Sequence, residues 1–390
     1  MLLLYGIGTT IGAGIYALLG EIAAVAGPNA PWSFLLASLI AGLTAFSFAE
    51  LSSRYPQAGA TAKYVQMGLG SPRLAFTVGI LVALAGVVSS AALLNGMANY
   101  VQGLLDADRQ LLIAATVVLL CLLTCWGIKQ SVLVAGVISV AEVCGLLWIS
   151  WICYDSIDYN RLTWHGGLPD FAALPSITFA AVLAFYAYIG FEDMVEVAEE
   201  VRNVKTVLPR AIILTLVIST VLYLVLVIGA QLAVTSATLA TMEAPMADLY
   251  ATLTQRNPLP MTLISAIAIV NGILIQMVMS SRVLYGLASR GQLPSLLGKV
   301  SRDSRTPVNA TLLVALCIGA LALNGSLARL AEVTAIVMLI VFALANLSLL
   351  RIHQREAKGD HQQRTVPTWI PWLGLFTCVA AALNQLTRMV

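Results

Sequence analysis

Long apolar runs recur along this chain, separated by short stretches where lysine, arginine, proline and glycine gather. Eleven runs approach the roughly 20 residues a helix needs to cross a bilayer: Leu2–Ala23, Trp32–Ser52, Leu74–Gln102, Gln110–Trp126, Val132–Tyr154, Pro175–Val197, Leu208–Leu232, Leu259–Leu287, Val308–Leu323, Leu327–Leu350 and Val366–Leu386. Composition agrees: 59% of residues are apolar, 10% are charged and mean hydropathy is +0.89. Soluble domains hold about 45–50% and about 25%. The predicted fold class is an all-α integral membrane protein in which lipid is the solvent.

Orientation follows from the basic residues, which collect on the cytoplasmic side of a membrane protein. With the N-terminus cytoplasmic, sixteen of the 21 lysines and arginines fall on the inner side, in connectors or run ends, and five on the outer. The first run begins at Leu2 with no cleavable leader before it, so a truncated start is expected. Met246–Leu253 predicts a short helix over the outer face, and Arg351–Arg364 a solvated cytoplasmic loop. Net charge is only +2, with no basic patch interleaved with aromatics, so no nucleic acid partner is expected. The six cysteines lie in apolar runs and the three histidines in polar connectors, without metal-ligand spacing. No cofactor is expected. No run pairs a histidine with a nucleophile, so enzymatic chemistry is not expected either.

Two apolar runs are interrupted by glycine. The first holds Gly6, Gly8, Gly12 and Gly14; the sixth holds Gly190 followed closely by Glu192 and Asp193. Irregular backbone inside a bilayer survives only when buried or lining a cavity. The two runs are five apart, and five is odd, so tandem five-helix units have opposite orientations. Paired breaks in inverted repeats point to a transporter binding site; close packing through small residues is the other reading of the first cluster. A break at Gly12–Gly14 opens N–H groups at a half-helix start, where the macrodipole places roughly +0.5 charge and a carboxylate is welcome. Carbonyls freed at Thr10 and around Ala187–Gly190 accept from an ammonium group. Such a site favours a zwitterion.

Five stretches carry a family likeness: Gly8-Thr-Thr-Ile-Gly-Ala-Gly-Ile-Tyr16, Phe48-Ala-Glu-Leu-Ser-Ser-Arg-Tyr-Pro-Gln-Ala-Gly59, Phe185-Tyr-Ala-Tyr-Ile-Gly-Phe-Glu192, Ala198-Glu-Glu-Val-Arg-Asn203 with Leu208-Pro-Arg210, and Ser281-Arg-Val-Leu-Tyr-Gly286. In this order, through about three quarters of the chain, they resemble the amino acid–polyamine–organocation (APC) superfamily of permeases. The resemblance implies a LeuT-type 5+5 inverted repeat with helices one and six unwound at mid-span. Repeat one would cover about residues 1–155, repeat two about 174–350, and an extra helix about 366–388, within one transmembrane domain. It implies that Gly12, Ala13 and Gly14 bind a substrate carboxylate, that carbonyls at Thr10, Tyr186 and Ile189 take the amine, and that Phe185 or Tyr186 gates access. Members of the superfamily usually have twelve spans, one more than are read here.

Charge inside the bilayer costs about 2.5–3.5 kcal/mol on insertion scales, so each such residue needs a reason. Glu142, near the middle of the fifth run, is assigned to proton coupling, with interhelical hydrogen bonding as the alternative. Glu192, at the sixth-run break, is assigned to a proton route or to a cationic side chain, with capping of the second half-helix as its alternative. Glu50 and Arg282, toward the inner ends of their runs, are read as gating residues. Asn271 in the eighth run is a candidate substrate contact. The function expected is secondary transport of neutral or cationic amino acids across the plasma membrane by alternating access, with protons as coupling ion. Alternatives are an exchanger without net proton coupling and a non-transporting sensor. A channel is disfavoured, since no ring of repeated charge is present.

Overall fold

The computed structural model describes residues 2–12, 14–56, 60–103, 107–126, 132–157, 169–301, 306–357 and 365–389. Among them there is no strand; the chain is a bundle of helices. In chain order these are α1 (Leu2–Ile11), α2 (Gly14–Ala26), α3 (Ala30–Arg54), α4 (Ala60–Leu69), α5 (Pro72–Gln102), α6 (Arg109–Trp126), α7 (Val132–Asp155) and α8 (Leu174–Tyr186). There follow α9 (Val204–Ala233), α10 (Ser236–Ala240), α11 (Pro245–Thr254), α12 (Leu259–Ser289), α13 (Val308–Asn324), α14 (Leu327–Glu356) and α15 (Trp369–Met389). Nine described segments are long and apolar enough to cross a membrane. The first, Leu2–Arg54, spans 53 residues, enough for two crossings, and Val308–Asn324 is a shorter apolar helix. The chain is an integral, multi-pass membrane protein.

Helix starts are marked by local chemistry. Proline occupies the first turn of α3, α5, α8, α11 and α12, where its missing N–H costs nothing. Ser71 and Ser326 cap α5 and α14 through their hydroxyls. The expected short helix is present as α11. It is bonded down, because the Met246 N–H reaches the Tyr100 hydroxyl at 3.2 Å, and that hydroxyl donates to the Tyr16 carbonyl at 2.7 Å.

Three pairs of helices that stand five apart in the order of apolar runs pack together. The second crossing, α3, lies along the seventh, α9; the third, α5, along the eighth, α12; and the fourth, α6, along the ninth, α13. The helix-one segment α1 packs against α7 and α9, while α8 packs against α3 and α14. Side-chain amides stitch these contacts. Asn346 on α14 donates to the Thr44 hydroxyl at 2.9 Å and accepts from Ser47 at 2.6 Å, both on α3.

The Arg351–Arg364 stretch is not loop from its start. The α14 helix continues to Glu356 and carries His353 into the interior at 1% exposure; residues 358–364 lie outside the described set. There His353 Nε2 meets Glu50 Oε1 at 2.7 Å, the Val366 N–H donates to Glu50 Oε2 at 2.8 Å, and Arg54 pairs with both Glu50 and Glu356. This cluster ties α3, α14 and the chain entering α15. Removing one partner of a buried ionic cluster costs about 3–5 kcal/mol. Glu50→Ala is therefore expected to lower the thermal midpoint of the detergent-solubilised protein sharply, as read by a fluorescence melt. An unchanged midpoint would show that the cluster holds nothing together.

Candidate functional site

At helix six the α-helix stops at Tyr186, and residues 187–190 follow as turns. Gly190 has φ +129°, and a 3-10 helix then runs Phe191–Glu200. The backbone at this bend rests on helix one: a Cβ built on Gly190 would lie 2.4 Å from the Thr9 carbonyl oxygen. The Thr9 hydroxyl donates to the Gly190 carbonyl at 3.0 Å. Only glycine fits here, because its φ is open to no ordinary side chain and the neighbouring atoms are main chain. Helix one is α-helical on either side of residues 12 and 13. Gly12 still donates to the Gly8 carbonyl at 3.1 Å, and Ala13 lies outside the described residues. Gly14 closes against Ala187, whose Cα would sit 2.6 Å from an added Cβ.

A third helix ties helix one to the bend of helix six. Tyr223 on α9, fully buried, sets its hydroxyl 2.8 Å from both the Thr10 and the Ala187 carbonyl oxygens. One hydroxyl has one proton, so it is shared between the two acceptors. Removing it leaves both carbonyls short of a donor, at about 1–3 kcal/mol. Tyr223→Phe is expected to lower the thermal midpoint of the detergent-solubilised protein; an unchanged midpoint would dismiss this role.

Beside the bends lies a chamber walled by Thr9, Thr10, Gly14, Tyr186, Ile189 and Gln276, with Ser89 and Leu93 of α5 and Gly272 and Ile275 of α12. The Tyr186 hydroxyl is bonded to Ser89 Oγ at 2.9 Å. A second chamber shares Ser89, Ile189 and Gln276 with the first and carries Glu192, Asp193 and Glu196, together with Thr61 and Thr334. Neither wall contains a lysine, arginine or histidine. Gln276 donates to Asp193 Oδ2 at 3.2 Å across the boundary.

Thr10, Gly14, Tyr186 and Ile189 thus come together on one wall, with Gly190 immediately behind it. Phe185 is buried in an aromatic cluster instead, its ring 5.7 Å from that of Phe342. Glu192 lines the second chamber and accepts from the Gly190 N–H at 2.9 Å, a capping contact within the bend. Glu142 lies on the far side of helix one: atoms of its carboxyl are 3.7 and 3.8 Å from Cβ positions built on Gly8 and Gly12. The Asn271 amide faces Glu142 rather than either chamber. Glu50 and Arg282 do not meet. Glu50 is held in the His353 cluster, and Arg282 is exposed, with no ion pair among the described residues. Glu50 is anchored because α14 is long enough to bring His353 to it.

Compared with known families, residues 2–388 match the amino acid permease family, which is nearly the whole chain. The chain belongs to the amino acid permease family. Within the APC superfamily to which these permeases belong, its all-helical bundle fits the LeuT-type fold. Among curated relatives, a cationic amino acid transporter, vacuolar, of Arabidopsis thaliana is 28% identical over 88% of this chain and 58% of its own length. A branched-chain amino acid permease of Bacillus subtilis is 26% identical over 98% of this chain and 86% of its own length. A methylthioribose transporter of the same organism is 28% identical, at 97% and 86% coverage. This chain therefore spans only about three fifths of the length of the plant relatives it matches.

Several residues of this permease-family site were not picked out by sequence reasoning. Tyr223, Ser89, Leu93, Gly272 and Ile275 sit in apolar runs where nothing distinguishes a wall residue from a lipid-facing one. Gln276 stands out as a polar residue in the eighth crossing, yet its contact with Asp193 depends on how α12 is rotated. The orphaned Thr10 hydroxyl, buried without a partner beside the first chamber, is visible only in three dimensions.

Proposed function

We propose that this chain is a secondary carrier that moves amino acids across the membrane by alternating access. The observation that carries the reading is the first chamber, where residues of helix one and of the helix-six bend share a wall with no basic side chain among the described residues. Peptide N–H groups near Gly14 suit a carboxylate, and carbonyls at Thr10, Tyr186 and Ile189 suit an ammonium. Two five-helix repeats, about 1–155 and 174–350, with an added helix at about 366–388, are supported by the pairing of crossings two with seven, three with eight and four with nine.

The substrate is proposed to be a neutral or cationic amino acid. The neutral first chamber supports the former. The acidic second chamber, toward which the chain runs on the cytoplasmic side in the proposed orientation, supports the latter. Glu142 is proposed to carry a coupling proton, being a carboxyl buried at mid-crossing against helix one, and Glu192 to take part on the substrate side. A cytoplasmic N-terminus is supported by the sixteen-to-five distribution of basic residues, and the plasma membrane is the proposed residence.

The test is uptake of a labelled amino-acid panel, with methylthioribose alongside, into proteoliposomes with and without an inward proton gradient. Gradient-driven accumulation of an amino acid is expected. Robust counterflow indifferent to the gradient would make the protein an exchanger, and uptake of methylthioribose alone would move it out of amino-acid transport.

A further inference from the structure

Glu142 and Asn271 form an incomplete pair. Glu142, on α7, is 1% exposed, and Asn271, on α12, is 4% exposed. The Asn271 amide donates from Nδ2 to Glu142 Oε1 at 3.3 Å. The two remaining oxygens, Glu142 Oε2 and Asn271 Oδ1, are buried with no hydrogen-bond partner. Both are acceptors, so the pair is one donor short. Buried acceptors rarely stay unmatched, since each costs about 1–3 kcal/mol.

One added proton supplies that donor. An ionised carboxylate takes the amide N–H, as drawn. A protonated carboxyl carries that proton on Oε2 and can give it to Asn271 Oδ1 while the amide N–H stays on Oε1, so both orphan oxygens are matched at once. The other groups facing Glu142 offer no competing charge. Helix one presents Gly8 and Gly12, Ser139 lies one turn away on α7, and Tyr16 donates its hydroxyl to the Glu142 main-chain carbonyl at 2.6 Å. The Tyr223 hydroxyl, on the α9 side, is engaged by the Thr10 and Ala187 carbonyls.

We propose that Asn271 is the positioning residue that reads the protonation state of Glu142, donating to the carboxylate through Nδ2 and, once the acid forms, also accepting its proton through Oδ1. The inference rests on the proton-coupling reading of Glu142. The proton comes from water on the side of higher proton concentration and adds to the carboxylate, with no other bond made or broken. Because α12 also supplies Gly272, Ile275 and Gln276 to the first chamber, the Asn271 amide is linked within one to two turns to that wall.

The experiment compares Asn271→Leu, Glu142→Gln and the double variant in proteoliposomes, reading the accumulation ratio under a proton gradient and gradient-free counterflow separately. N271L is expected to cut the accumulation ratio at least about threefold while counterflow stays within about twofold. The double variant should be no worse than E142Q, since residues acting as one unit are not additive. If N271L does not fold, Asn271→Ala, which removes both the N–H and the carbonyl without adding a titratable group, is read in the same way. In acid-minus-neutral infrared difference spectra, the carboxylic C=O band that disappears in E142Q should change position in the Asn271 variant. An Asn271 variant with full accumulation, or with an unmoved band, overturns the assignment and leaves Glu142 as proton carrier intact. Full accumulation by E142Q itself removes the Glu142 reading instead.

Discussion

Gly190→Ala is expected to abolish substrate exchange. The backbone there holds φ at +129°, and the new Cβ would stand 2.4 Å from the Thr9 carbonyl oxygen and 2.7 Å from its carbon. Neither neighbour is the end of a flexible side chain, so the two helices must part. Holding a non-glycine residue in such a region costs about 1–3 kcal/mol, and overpacking a filled site costs about another 1–3 kcal/mol. Even the low end, about 2 kcal/mol, is a roughly thirtyfold change in any equilibrium that requires the native bend. Counterflow should fall at least that far. Gly286→Ala is the control: it lies in α12, a Cβ there meets nothing within 4 Å, and wild-type rates are expected. Equal activity of G190A and G286A would mean that the contact between the helix-six bend and helix one is dispensable.

Glu142→Gln is expected to separate coupling from movement. The amide keeps the size of the carboxyl and can still accept from Asn271, so helix one stays packed and counterflow should remain within about threefold. It cannot exchange a proton. A gradient of one pH unit is worth about 1.36 kcal/mol, or a tenfold concentration ratio at one proton per substrate. The unaltered protein should approach that ratio, and E142Q should level off near equal concentrations on both sides. Loss of counterflow together with accumulation would instead make Glu142 a structural hydrogen-bonding residue.

The sequence was most legible where one physical constraint acts alone. Crossing a bilayer demands length and apolarity, and runs such as Pro72–Gln102 satisfy it conspicuously. The bend at Gly190 was legible for a similar reason, since a glycine followed by two acids breaks an otherwise apolar run. What it could not convey was rotation. In a soluble helix the polar face marks the outside, but these helices are apolar nearly all round, and their turning is set by packing. Adjacent residues point about 100° apart on a helix. Tyr186 therefore reaches the chamber while Phe185 enters the aromatic cluster, and Asn271 faces Glu142 while Gly272 faces the chamber. His353 was concealed differently: the polar stretch after Leu350 reads as a loop, but α14 outlasts its apolar portion and buries one of those polar residues against Glu50.

Both ends of the amino acid are proposed to be held by main-chain groups of helix one and of the helix-six bend. Equilibrium binding of a labelled substrate amino acid to the purified protein, competed by its methyl ester and its N-acetyl derivative, tests this most directly. Each blocked analogue keeps the side chain and loses one charged end. The unmodified amino acid should displace the label, and both analogues should be at least about tenfold weaker, the loss expected when about 1.4 kcal/mol of a charged contact is removed. Analogues that compete as well as the parent would contradict the account, because the side chain alone would then be what the chamber holds.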